Sequence, residues 1–196
     1  DADELGITFC HEHLLVNTLS WFTMPKEASK LKLVNAPVTI ENLGEIRRAV
    51  HYSKDNLVLD DVHLIAEELA HLKKEGGSTI VDVTSIGLNR DHEAAKTISE
   101  LTGVNVILGT GWYVSASHPL FVKKASVEEL KEVMVKDIEQ GIGNTEIRAG
   151  VIGEVGASHP PLHPDEEKVI RAAARAQAET DVAYTIHPGT TDFQNK

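Results

Sequence analysis

The chain has 196 residues, 41% of them hydrophobic and 25% charged, the balance of an ordinary soluble globular protein with room for one sizeable core. Its formal charge of −11 argues against a nucleic-acid partner, because a phosphate backbone needs a basic surface. A single cysteine excludes an internal disulfide framework, and with no signal peptide or apolar run of membrane-spanning length in the sequence, a cytoplasmic protein without a membrane partner is expected. The first element is the short strand Gly6-Ile7-Thr8-Phe9-Cys10, closing on His11-Glu12-His13. Residues two apart in a strand point to one face, so His11 and His13 present two imidazoles together, and neutral imidazole is the commonest protein metal ligand. Cys10 has the opposite parity and is expected to pack against a helix.

A long irregular stretch, 15–56, follows. It holds Trp21, Phe22 and Pro37, then a helix expected over 39–51 from a Thr39 cap and apolar Leu43, Ile46 and Val50. Long loops are usually functional or disordered, and this one reads as a cover near the end of the first strand. From Asp60 the pattern becomes regular. Asp60 or Asp61 caps a helix with Val62, Ile65, Leu69 and Leu72 on one face, and Gly76-Gly77 ends it. A β-branched strand over 78–83 leads to a helix begun by Asp91 and stopped by Gly103. The strand over 104–108 runs into Gly109-Thr110-Gly111-Trp112-Tyr113. Ser126-Val127-Glu128-Glu129 is a capping box for a helix reaching about Gln140. The strand over 149–155, an Ala-rich helix over 165–180 and a strand over 182–187 complete the pattern.

Five strands alternating with amphipathic helices imply βαβ units on a parallel sheet, with near-continuous apolar strands covered on both faces. No Gly-x-Gly-x-x-Gly or phosphate-binding loop follows a strand, which counts against nucleotide binding. No linker or composition break is visible, so residues 1–196 read as a single domain.

The unusual polar residues cluster at strand ends: His11 and His13, Asp82, Trp112 and Tyr113, Glu154, and His187. In a parallel barrel these ends converge on the C-terminal mouth, where active sites of that fold lie. Glu154, inside Gly-Val-Ile-Gly-Glu-Val-Gly, would be costly to desolvate alone and needs a metal or a cation. Bland alternatives stand beside this reading. Glu154 could pair with Arg90 or Arg148, His187 could bond backbone, Trp112 and Tyr113 could be packing, and Asp82 could be structural. His118, His159 and His163 read as solvated loop histidines.

The segments Gly6–Leu14, Thr79–Val83, Gly109–Tyr113, Ile147–Glu154 and Thr185–His187 resemble, in order, the phosphotriesterase family of the amidohydrolase superfamily, metal-dependent hydrolases on a (β/α)8 TIM barrel. The resemblance implies two divalent metal ions, zinc being favoured, held by His11, His13, Glu154 and His187. Glu154 would be the bridge, while Tyr113 and Trp112 would line the substrate site. Better-known members bridge with a carboxylated lysine; a glutamate resembles the phosphotriesterase-related, or homology-protein, branch. That implies a binuclear hydrolase acting on small-molecule esters, lactones or N-acyl amides through a metal-bridging hydroxide, with a phosphotriesterase as the alternative. In the family a further histidine comes from the sixth strand and the catalytic aspartate from the eighth. By that measure no catalytic base lies within this chain, the expected aspartate falling beyond Lys196. The chain then reads as a barrel truncated after about five strands: an open, C-shaped sheet, prone to self-association, inactive alone, and retaining at most metal binding. Homodimerisation is left open for the full-length protein. A non-metal α/β protein with structural histidines is the remaining reading.

Overall fold

The structure, a computed structural model, describes residues 4–158 and 161–189; His159 lies outside them. In chain order the elements are β1 (Ile7–Glu12), β2 (Val16–Asn17), α1 (Leu43–Ile46), β3 (Val58–Leu59), α2 (Val62–Lys74), β4 (Gly77–Asp82), α3 (His92–Thr102), β5 (Asn105–Thr110), α4 (Leu120–Lys124), α5 (Val127–Glu139), β6 (Ala149–Gly156), α6 (Pro164–Thr180) and β7 (Tyr184–His187). β1, β4, β5, β6 and β7 form one parallel sheet in that order. β2 and β3 make a small antiparallel pair beside it. The architecture is a partial (β/α)8 barrel, open between β1 and β7, each of which is a sheet edge among the described residues.

Local chemistry sets the helix bounds. The Asp61 carboxylate accepts from the backbone N–H groups of His63 and Leu64, and Asp91 accepts from Ala94, satisfying donors that the first turn leaves orphaned. Gly103 ends α3 in the left-handed region at φ 66°. Ser126 and Glu129 form the expected reciprocal capping box. α6 begins one residue early, at Pro164, with His163 as its cap.

The sheet curls enough for the Glu154 N–H on β6 to donate to Val83 O beyond β4, at 3.1 Å. Two neighbouring glycines let β6 come equally close to the chain on either side of it. A Cβ on Gly153, whose φ is +127°, would lie 2.5 Å from Thr185 O, and one on Gly156 would strike the Tyr113 backbone. They make room for adjacent chain. The largest core, around Leu130, Met134, Ile152, Val155 and Val169, fills the layer between the sheet and α5 and α6.

Three expectations change. The helix over 39–51 shrinks to the single turn of α1 and a 3₁₀ turn at Val50–Tyr52. There the Asn42 side chain accepts from Thr39 N and donates to Pro37 O, stabilising a local turn in place of a helix start, and Ile40 is left exposed. Cys10 is exposed. As an edge strand, β1 is solvent-accessible along its whole length, so it also departs from the doubly covered pattern that β6 follows.

Candidate metal centre

β1 delivers His11 and His13 to the same side, as strand parity requires. Their rings stand edge to face at 5.8 Å. β6 delivers Glu154, only 1% exposed. His11 Nε2 lies 3.2 Å from Glu154 Oε2, and His13 Nε2 lies 3.2 Å from Oε1. From β7, His187 Nδ1 approaches Oε2 to 3.1 Å. Three imidazoles from two opposite sheet edges therefore share one buried carboxylate. Arg90, weighed as its ion-pair partner, is engaged elsewhere: it donates to Asp137 Oδ2 at 2.8 Å and Gly109 O at 3.1 Å. Among the described residues the ion-pair partners of Glu154 are these histidines.

Burial alone would push the Glu154 carboxyl up. Hydrogen bonds and charge from His13 and His187 outweigh that and hold it at about 2, so it is an anion throughout the physiological range. The donor set fits a divalent cation. One ligand atom each from His11, His13 and Glu154 lies within 4.8 Å of the others, and an ion about 2.0–2.2 Å from each is normal for nitrogen and oxygen ligands. His187 stands outside that triad and joins it through Glu154 Oε2.

A second layer orients the first. His13 Nδ1 meets Thr84 Oγ1 at 2.9 Å, and the Thr84 N–H donates to Asp82 Oδ1 at 3.0 Å. Asp82 is thus a buried support behind His13, not a member of the triad; burial pushes its carboxyl up, against the bonds from Thr84. Such outer partners fix a ligating ring's tautomer and direction. Tyr113 OH lies 2.9 Å from His187 Nε2. Burial, and then the nearby Glu154 charge, raise its phenol above the usual range, so it is a neutral donor.

Of the two adjacent aromatics, Tyr113 reaches the centre and Trp112 does not. Trp112 is 1% exposed in the core shared with Met134 and Val155, its ring 6.2 Å from Phe121. Neighbouring residues of extended chain face opposite ways, which puts one on the helix side and the other inside. Trp21 is a residue that the motifs did not mark. Its indole stacks on Tyr113 at 5.8 Å and 26°, and meets His187 edge-on at 6.3 Å. The available signal was an aromatic in the long cover after the His-x-His strand. His118 bonds Tyr113 O at 2.7 Å and His163 caps α6, so both have structural work.

Parallel strands curling to bring histidines and a carboxylate together at their C-terminal ends define a partial α/β barrel with a candidate metal centre. The sequence matches the model of the phosphotriesterase family over residues 1–195, and the chain belongs to that family. It is 44% identical over 189 residues to a phosphotriesterase-related protein of Nematostella vectensis, covering 95% of this chain and 54% of that protein. It is 39% identical over 188 residues to the N-acetyltaurine hydrolase of Xenopus tropicalis, covering 95% and 53%. The crystal structure of a resiniferatoxin-binding protein from Rhodobacter sphaeroides superposes with a TM-score of 0.92 at 36% identity, over 94% of this chain and 51% of that one. The chain spans about half the length of the curated relatives it matches.

Proposed function

We propose that this chain carries the metal-binding core of a hydrolase that cleaves small N-acyl amides. The observation that supports this best is the buried Glu154 carboxylate, faced on both oxygens by imidazoles and by no lysine or arginine among the described residues. His11, His13 and Glu154 would hold one divalent ion, with zinc the natural choice for this donor set. Glu154 and His187 would share in a second. His187 would then exchange one of its two protein bonds, to Glu154 or to Tyr113, for the ion. The ions supply Lewis acidity toward a carbonyl oxygen and acidify water near neutral pH.

The chain's own residues do the rest. Glu154 stays ionised and would offset part of the charge of the ions it helps to hold. Thr84, backed by Asp82, holds the His13 ring in one tautomer. Tyr113 keeps a neutral hydroxyl against His187 and steadies that ring. The choice of amide over ester or lactone draws on the glutamate bridge and on the relatives named N-acetyltaurine hydrolase.

A second reading, metal binding without turnover, draws on the open sheet and on the half-length coverage of the relatives. Zinc-loaded protein assayed against N-acetyl amides, lactones and simple esters separates the two. Amide cleavage abolished by a chelator and restored by zinc supports the hydrolase. Bound zinc with no cleavage of any substrate supports the second reading.

A further inference from the structure

Trp21 belongs to no strand of the sheet, yet its indole lies against both Tyr113 and His187. The segment carrying it is fastened to the scaffold at several points. Asn17 N–H donates to Leu88 O at 2.9 Å, Thr18 N–H to Leu57 O at 2.8 Å, Trp21 N–H to Thr18 O at 2.9 Å and Thr23 N–H to His51 O at 2.9 Å. Trp21 itself is half-buried, whereas the Tyr113 beneath it is fully buried with Leu88 and Val114. The indole is therefore a fixed apolar wall, still accessible, on the Tyr113–His187 side of the centre. The Trp21 and Tyr113 rings are already in offset contact, which leaves no slot between them for a chain to enter.

We propose that Trp21 determines which acyl group the site accepts, limiting it to short ones; this rests on the amide-hydrolase reading above. An N-acyl amide has two ends to place around its scissile carbonyl. An aromatic face carries negative electrostatic potential and is a poor neighbour for an anionic amine part such as an aminosulfonate. The apolar acyl group is the end that belongs against the indole. A wall whose two rings stack on one another does not open to admit a chain, so an acyl group seated against it is expected to be a methyl group and not a longer chain. One methylene in an apolar pocket changes selectivity by roughly tenfold or more, so this wall is enough to set chain length.

The test uses the zinc-loaded chain and two hydroxamates, acetohydroxamate and hexanoylhydroxamate, as metal-directed probes that need no turnover. Dissociation constants are measured by calorimetry for wild type, Trp21→Phe, Trp21→Leu and Trp21→Ala, with bound zinc quantified in each. Wild type and Trp21→Phe are expected to favour the acetyl probe. Trp21→Leu and Trp21→Ala are expected to shift the hexanoyl-to-acetyl ratio at least tenfold toward the longer chain with zinc retained. Either small variant suffices if the other fails to fold. An unchanged ratio with zinc and probe binding intact would overturn the role of Trp21 and leave the hydrolase reading standing. Zinc-loaded wild type that binds neither probe would overturn both.

Discussion

His187 and Glu154 are joined at 3.1 Å, Nδ1 to Oε2, and through that bond the last strand of the sheet enters a centre begun by the first. The same Oε2 lies 3.2 Å from His11 Nε2. One buried carboxylate therefore holds together residues from both open edges of the sheet, and its substitution is the most informative single change.

Glu154→Gln keeps the size of the side chain and removes its charge. In the metal-centre account zinc binding is lost, and added zinc no longer raises the melting temperature of the variant. Zinc-free, the variant also forgoes the contacts with His13 and His187 that hold the carboxylate ionised, so it melts below zinc-free wild type near neutral pH. Zinc content and the zinc-dependent rise in melting temperature check this; a variant that binds zinc as wild type does would contradict it.

Glu166 carries a different load. Fully buried on α6, it accepts from Ser115 N–H at 2.8 Å and Ser158 N–H at 3.1 Å, and from the Ser158 hydroxyl at 2.7 Å. It ties the loop after β5 to the loop after β6, just behind Tyr113. Glu166→Ala orphans two backbone donors at about 1–3 kcal/mol each, so a loss of about 2–6 kcal/mol is expected in urea unfolding. A change below 0.5 kcal/mol would show that water replaces the carboxylate without cost.

Acid should expose both carboxylates. Burial alone would raise each, but hydrogen bonds lower Glu154 to about 2 from an ordinary 4.5, and Glu166 shifts in the same direction. A depressed folded-state value means the stabilisation is complete above about 4.5 and is lost as pH falls toward 2. Chelator-treated protein should hold a flat melting temperature above pH 5 and lose it steeply below 4.5. Glu154→Gln should flatten part of that decline.

The open edges predict association. Among the described residues β1 has a strand partner on one side only, with Ile7 63% and Phe9 46% exposed, and β7, the other edge, exposes Ile186. Unpaired strand edges with apolar side chains template pairing with other chains. Sedimentation velocity of the isolated chain should show mass rising with concentration, and Phe9→Lys should reduce it. A monomer at every concentration tested would contradict this.

Much of the molecule was legible because its signals are local. Asp61, Asp91 and the Ser126–Glu129 box mark helix starts through bonds spanning two or three residues, and the parity of His11 and His13 follows from the strand period alone. The misread parts turn on side-chain choices, edge positions and chain paths that periodicity does not encode. Whether 39–51 is a helix turned on the Asn42 side chain preferring Thr39 and Pro37 to a helical turn. The exposure of Cys10 follows from β1 being an edge, which no local pattern encodes. Trp112 and Tyr113 look alike in sequence; as neighbours on extended chain they face opposite ways, and which of them meets the core and which meets His187 is set by the path of the chain after β5. Trp21 reaches Tyr113 through a cover loop whose path is set by bonds to Leu57 and Leu88, contacts invisible to any motif.

The most direct test is zinc binding by the purified, chelator-stripped chain, measured by calorimetry together with X-ray absorption at the zinc edge. The account predicts saturable binding with nitrogen and oxygen neighbours at about 2.0–2.2 Å, abolished in Glu154→Gln and in the His11→Ala, His13→Ala double variant. Failure of the wild-type chain to bind zinc, or equal binding after both histidines are removed, would contradict it.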